Sequence, residues 1–95
     1  MPIYNTQSYA VVLGLTPLKI FGKDLQRRKV LFQDQDPTAI IYRKFSGDGV
    51  ALSYVRMVPG DTNGIDLYCP PDEIWAYSNV AGTVITVEIT TEALS

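Results

Sequence analysis

Along most of this chain apolar and polar residues alternate with a period of two, the signature of strands that bury one face. The cleanest case is TVITVEIT (83–90), with Ile85, Val87 and Ile89 on one side and Thr86, Glu88 and Thr90 on the other. Just upstream, EIWAYS (73–78) is rich in aromatic and branched residues, and NVAG (79–82) between them supplies the Asn and Gly of a tight connection. The two segments are therefore predicted to form a hairpin. GVALSYVRMV (49–58) sets Leu52 and Tyr54 against Ser53, Val55 and Met57 until Pro59 and Gly60 stop it. KVLFQ (29–33) and AIIYRK (39–44) have apolar centres and charged ends, which suits central strands covered on both faces. Between them, Pro37 cannot donate to a ladder and holds Asp36 extended, so QDQDPT (33–38) reads as a hairpin loop.

With SYAVVLG (8–14) and IDLY (65–68) added, about eight strands result, near 8–14, 17–21, 28–33, 39–45, 50–58, 65–68, 73–78 and 83–90. Turn signals separate them at short, even intervals. This predicts an all-β fold, a single antiparallel β-sandwich of jelly-roll type over residues 1–95, with 1–7 and 90–95 as extended arms. The rival for one element is a helix over DLQRRKVLF (24–32), where Leu25, Arg28 and Phe32 would share a face; the β-branched and aromatic continuation favours the strand.

Composition narrows the chemistry. The chain has 95 residues, 46% hydrophobic and 19% charged, which is one ordered core with an expected radius of gyration of about 12 Å. One cysteine, Cys69, excludes an internal disulfide and a four-thiolate zinc site, and the lack of histidine removes the commonest metal ligand and general base together. No run approaches the ~18 apolar residues of a membrane span, and no basic-then-apolar leader opens the chain. The expectation is a soluble protein made in the cytoplasm, with no membrane partner and no cofactor.

Charge is segregated: residues 1–56 carry a net +4 and residues 57–95 a net −6. The overall −2 argues against nucleic acid as a partner. Either positive strands lie beside negative ones within a sheet, or the two signs meet between copies in an assembly, where rim charges fix register and partner choice.

Several motifs imitate active sites. DQDPT (34–38) after an apolar strand looks like the DxDxT nucleophile motif of haloacid-dehalogenase-type phosphatases, and GDTNGID (60–66) like that family's acidic metal motif. Their parallel sheet needs helical crossovers of a dozen or more residues each, for which this chain has no room, so DQDPT reads as a turn. Asp61, Asn63 and Asp66 could offer oxygens to calcium, but that ion takes six to eight ligands and the closing Glu of an EF-hand loop is missing, so Asn63–Gly64 reads as a type I′ turn. Cys69 has no histidine to activate it. Trp75 is expected in the core, between the sheets, rather than on a sugar-stacking surface.

The order RRKVLFQDQDPTAIIYRKF (27–45), GVAL (49–52), VPGD (58–61) and CPPDEIWAYSNVAGTVITVEI (69–89) resembles a group of small phage-encoded virion proteins marked by an I-W-A-x-S-x-x-A-G-T run. Where that group carries Gln-Asn, this chain has Gln33–Asp34. The resemblance implies a β-sandwich component of a phage particle, a capsid decoration or cement protein on the major capsid protein or another virion protein. It implies a homo-oligomer, trimeric or otherwise cyclic, located in the virion, with no catalytic residues. Tyr4, Arg27, Arg28, Arg43, Lys44 and Leu94 are the expected contact residues, with Tyr4 and Leu94 as apolar anchors on the arms. The alternative is a carbohydrate- or host-receptor-binding module of a fibre, in which Trp75 or several tyrosines would form a concave patch.

Overall fold

In the computed structural model, which describes residues 3–45, 54–65 and 69–93, the alternating segments become eight strands among the described residues. They are β1 (Ile3–Leu13), β2 (Leu18–Phe21), β3 (Arg27–Asp34), β4 (Ile41–Phe45), β5 (Val55–Met57), β6 (Thr62–Ile65), β7 (Ile74–Ser78) and β8 (Thr83–Ala93). Two antiparallel sheets face each other, β1-β8-β3-β6 and β2-β7-β4-β5. Strands 1 and 8, 2 and 7, 3 and 6, and 4 and 5 pair. A long ribbon folded back between β4 and β5, then rolled so that successive pairs fall in alternate sheets, gives that order, which is the jelly roll. The all-β sandwich is therefore the fold, and residues 27–34 are strand, not helix.

Alternation decides what goes inside. Val30 and Phe32 of β3, Ile85, Val87 and Ile89 of β8, Ile41 of β4 and Ile74 and Ala76 of β7 meet between the sheets, with Leu13 and Met57 completing the core. Phe32 meets the edge of Phe45 at 6.3 Å between ring centroids. Trp75 corrects an expectation. On β7 the inward positions are Ile74, Ala76 and Ser78, so Trp75 and Tyr77 are half-buried on the outer face.

Both hairpins expected from turn signals are corners instead. QDQDPT leads from β3 in one sheet to β4 in the other, and NVAG leads from β7 to β8 across the same gap. The reason is common to both: each flanking strand has an apolar set to bury, and crossing over lets the two sets face one interior from opposite sides. Within DQDPT, Asp36 Oδ1 accepts the Thr38 N–H at 2.8 Å, the Ala39 N–H at 2.9 Å and the Thr38 hydroxyl at 3.1 Å, so the motif is a side-chain-capped turn.

The Asn63–Gly64 pair is no turn either; it lies inside β6, opposite Phe32 and Leu31 of β3. A Cβ at Gly64 would stand 3.1 Å from Leu31 Cδ1, so a larger residue there needs the leucine side chain to shift by a few tenths of an ångström. The chain turns earlier, at Pro59–Gly60, where the Asp61 N–H reaches Val58 O at 3.1 Å. In the β7–β8 corner Gly82 sits at φ +81° and donates its N–H to Leu13 O at 2.9 Å. Gly82→Ala is expected to cost about 1–2 kcal/mol from the left-handed backbone alone, read as a lower urea midpoint, since open space surrounds the position.

Segregated charge also resolves within the sheet. β3, with Arg27, Arg28 and Lys29, lies beside β8, with Glu88 and Glu92, and Arg28 pairs with Glu92 at 3.0 Å.

Candidate functional site

The feature that sets this sandwich apart is one edge. Among the described residues β1 is the outermost strand of its sheet and pairs on one side with β8 without a bulge through all eleven residues, Ile3 opposite Ala93 to Leu13 opposite Thr83. Natural edge strands are kept from sticking to others by lysines, prolines, bulges or short length. IYNTQSYAVVL has none of these, and the first charged residue of the chain is Lys19. Residues 3–10 are exposed on both faces, Ile3 at 58%, Tyr4 at 57% and Val12 further along at 60%. At ~3.3 Å per residue the strand offers a free edge of about 36 Å.

Its outer face is uncharged and small in the middle: Tyr4, Thr6, Ser8, Ala10, Val12. Thr6 shares a hydrogen bond with Thr90 at 2.8 Å across the ladder, and the Ser8 hydroxyl donates to Glu88 Oε2 at 3.3 Å. On the inner face Tyr9 meets the edge of Phe21 at 5.2 Å, where β1 leaves the cover of the second sheet. Residues 3–7, expected as part of an arm, are thus the outer half of a ladder with 89–93.

The expected contact residues do not converge. Tyr4 stands on this strand, and Leu94 lies outside the described residues. Arg28 is half-exposed, paired with Glu92 and donating to Leu25 O at 2.9 Å. Arg27 is a correction: it is 3% exposed, and its guanidinium clasps the carbonyls of Gly22 at 2.9 Å, Asp72 at 2.9 Å and Pro70 at 3.1 Å. It ties the β2–β3 connection to the segment before β7 and offers no surface. Arg43 is likewise buried, its guanidinium carbon 5.0 Å from the Phe32 ring centroid and 5.9 Å from that of Phe45, and it donates to Asn63 Oδ1. Burial pulls its pKa below the usual arginine value. Lys44 is buried on the outer side of β4, its Nζ 5.9 Å from the Tyr54 ring centroid.

The outer face of the second sheet carries the tyrosines. Tyr42 and Tyr77 stack at 4.6 Å with planes 12° apart, and Tyr54 meets Tyr77 edge-on at 5.0 Å. One face of Tyr42 and one of Tyr77 are thus occupied by each other. Trp75 Nε1 reaches Glu73 Oε1 at 3.4 Å, and Glu73 also pairs with Lys19 at 3.3 Å.

The imitation sites are explained by their contacts. Asp61 Oδ2 accepts the Val58 N–H at 3.0 Å and Asn63 Oδ1 is taken by Arg43, so both oxygens offered to calcium hold the fold; Asp66 lies outside the described residues. Asp34 is fully buried; one oxygen accepts the Asp36 N–H at 3.0 Å and the other has no partner. Burial pushes its pKa up from 3.8, with the charges of Asp36 and Asp61 adding to the push and the Asp36 N–H opposing it. Folding therefore favours protonated Asp34. Its contribution is fullest below pH 3.8 and is lost as pH rises through the raised folded value. Asp34→Asn, the residue that the resembled phage group carries there, is expected to add about 1 kcal/mol at pH 7 and to remove that pH dependence, measured by urea unfolding at pH 4 and 7. Burial pushes the Cys69 thiol up too, against a smaller opposite pull from Arg27, so it is expected to react with a disulfide reagent at pH 7 more slowly than a free cysteine.

No protein-family model and no curated protein matches the chain in sequence. Among solved structures the chain is similar to a protein from Bacillus endospore appendages, described as a novel family of disulfide-linked pili, with 13% identity and a TM-score of 0.59, over 99% of this chain and 89% of that one. The likeness is one of fold. A de novo designed double-stranded β-helix is a weaker match, with 19% identity and a TM-score of 0.45, over 94% of this chain and 99% of the design.

Of the residues on this strand, the sequence singles out Tyr4 as an expected contact and not the exposed Ile3, Tyr9 and Val12. The signal was present: a stretch of 18 residues without charge precedes Lys19.

Proposed function

We propose that this chain is a non-enzymatic structural subunit that works by adhering to its neighbours in an assembly, and specifically a decoration or cement subunit of a phage particle, set on the major capsid protein. The observation that carries the first part is the β1 edge: a long, flat, uncharged strand with open hydrogen-bonding groups is a surface built to be covered. The jelly-roll likeness to a subunit of pili supports it, since that protein also serves as a building block. The ordered motifs from Arg28 to Glu88 support the phage assignment. Weak contacts are enough for such a role, because a subunit held at several points along a lattice binds multivalently, and a small domain gains stability from its neighbours.

Covalent linkage of the kind named for the pili is not the means here. Cys69 supplies half of one disulfide, whereas a chain of covalently joined subunits needs a bond on each side of every subunit. Adhesion must come from strands and side chains.

Mass spectrometry of gradient-purified particles from the host that carries this gene tests the reading. The chain is expected in fixed, high copy number relative to the major capsid protein; particles that lack it sink the phage assignment.

A further inference from the structure

We propose that two copies of this chain pair antiparallel through β1, about a twofold axis centred on Ser8, joining their four-stranded sheets into one eight-stranded sheet. The proposal rests on the structural-subunit reading above and names the first contact of that assembly.

The occupant of the edge follows from its sequence. Ser8 is the middle residue of Ile3–Leu13, so a twofold there uses the whole strand and sets Tyr4 against Val12, Thr6 against Ala10 and Ser8 against itself. Large faces medium at both ends and small faces small between, so the outer face is its own complement. The inner face pairs Gln7 with Tyr9 and Ile3 with Leu13 in the same register. No charge opposes a like charge anywhere on the strand, whereas the other edges carry Lys19 on β2 and Arg56 on β5, and β6 is four residues long. Residues 3–10 are exposed, so the second sheet does not overhang those eight of the eleven residues that the partner must approach. A twofold contact is self-complementary and closed, so it adds one neighbour without starting a fibre.

Eleven residues a side is about half the 20–30 of a standard stable interface, which places the pairing among weak contacts. At that strength the pair forms in concentrated solution and on a lattice but not at trace concentration.

Sedimentation velocity on the full chain, from about 5 μM to 1 mM, tests this. The unaltered protein is expected to move from monomer to dimer across that range. Thr6→Lys/Ala10→Lys sets lysine against lysine twice in the proposed register and is expected to weaken dimerisation at least ~10-fold. Thr6→Lys/Ala10→Glu sets opposite charges together instead and is expected to restore it. Within one copy these positions stand directly opposite Thr90 and Thr86 of β8, with Glu88 diagonal to both, and urea unfolding of both variants checks that each folds. A protein that stays monomeric throughout, a double-lysine variant that dimerises as before, or a charge-complementary variant that fails to recover overturns the pairing. Particles that contain a chain that is monomeric in solution would defeat the pairing and leave the structural-subunit reading standing.

Discussion

Phe32→Ala is expected to destabilise the fold by about 3–5 kcal/mol, a large share of the roughly 5–15 kcal/mol that a folded domain has in all. Phe32 is fully buried, meets Phe45 edge to face and lies under the Arg43 guanidinium. Truncation opens a cavity between the sheets and uncovers a buried cation, two costs that add. Urea unfolding followed by tryptophan fluorescence measures it, and Trp75→Ala, followed by circular dichroism, is the control. Since Trp75 stands on the outer face, its loss is expected to cost clearly less than that of Phe32, although it is the larger side chain. An equal or greater cost for Trp75 would mean that β7 is turned over.

Arg27→Met is expected to cost about 2–4 kcal/mol, because the carbonyls of Gly22, Pro70 and Asp72 lose a charged donor together. Arg27→Lys should recover little of it. A single ammonium cannot span Gly22, Pro70 and Asp72 at once, whereas the planar guanidinium reaches all three from one position. The same unfolding experiment reads both variants. A lysine variant as stable as the parent would show that charge alone matters at this position, against the fork geometry.

Sequence and structure part company in an instructive way. The inward triplet Ile85, Val87 and Ile89, and Val30 with Phe32, were legible because a buried strand face imposes a period of two whatever it packs against. Trp75 was not, since Ile74 and Ala76 are also apolar and a shift of one residue exchanges the two faces. The interior is shared with side chains such as Phe32 that arrive from the other sheet, which local pattern does not report. The corners at 35–40 and 79–82 use the same Asp, Pro, Asn and Gly chemistry as hairpins, so turn residues located the bends but not the sheet in which the next strand would lie. Arg27 looks like Arg28 and Lys29 beside it; what distinguishes it is a set of carbonyls at 22, 70 and 72 that only the folded chain brings together. Of the candidate edge, the lack of charge was visible, but the pairing of 3–7 with 89–93 depends on the roll of the whole ribbon.

The partnership of β1 with β8 also sets a schedule for synthesis. About seventy residues separate Leu13 from Thr83, and at ~5–20 residues per second a ribosome needs roughly 4–14 s to make them. Throughout that interval the uncharged β1 segment has been made and its own mate does not yet exist. Nascent chains on one polysome hold many such segments close together, so the cell must either shield them with a chaperone or finish each chain before neighbours collide.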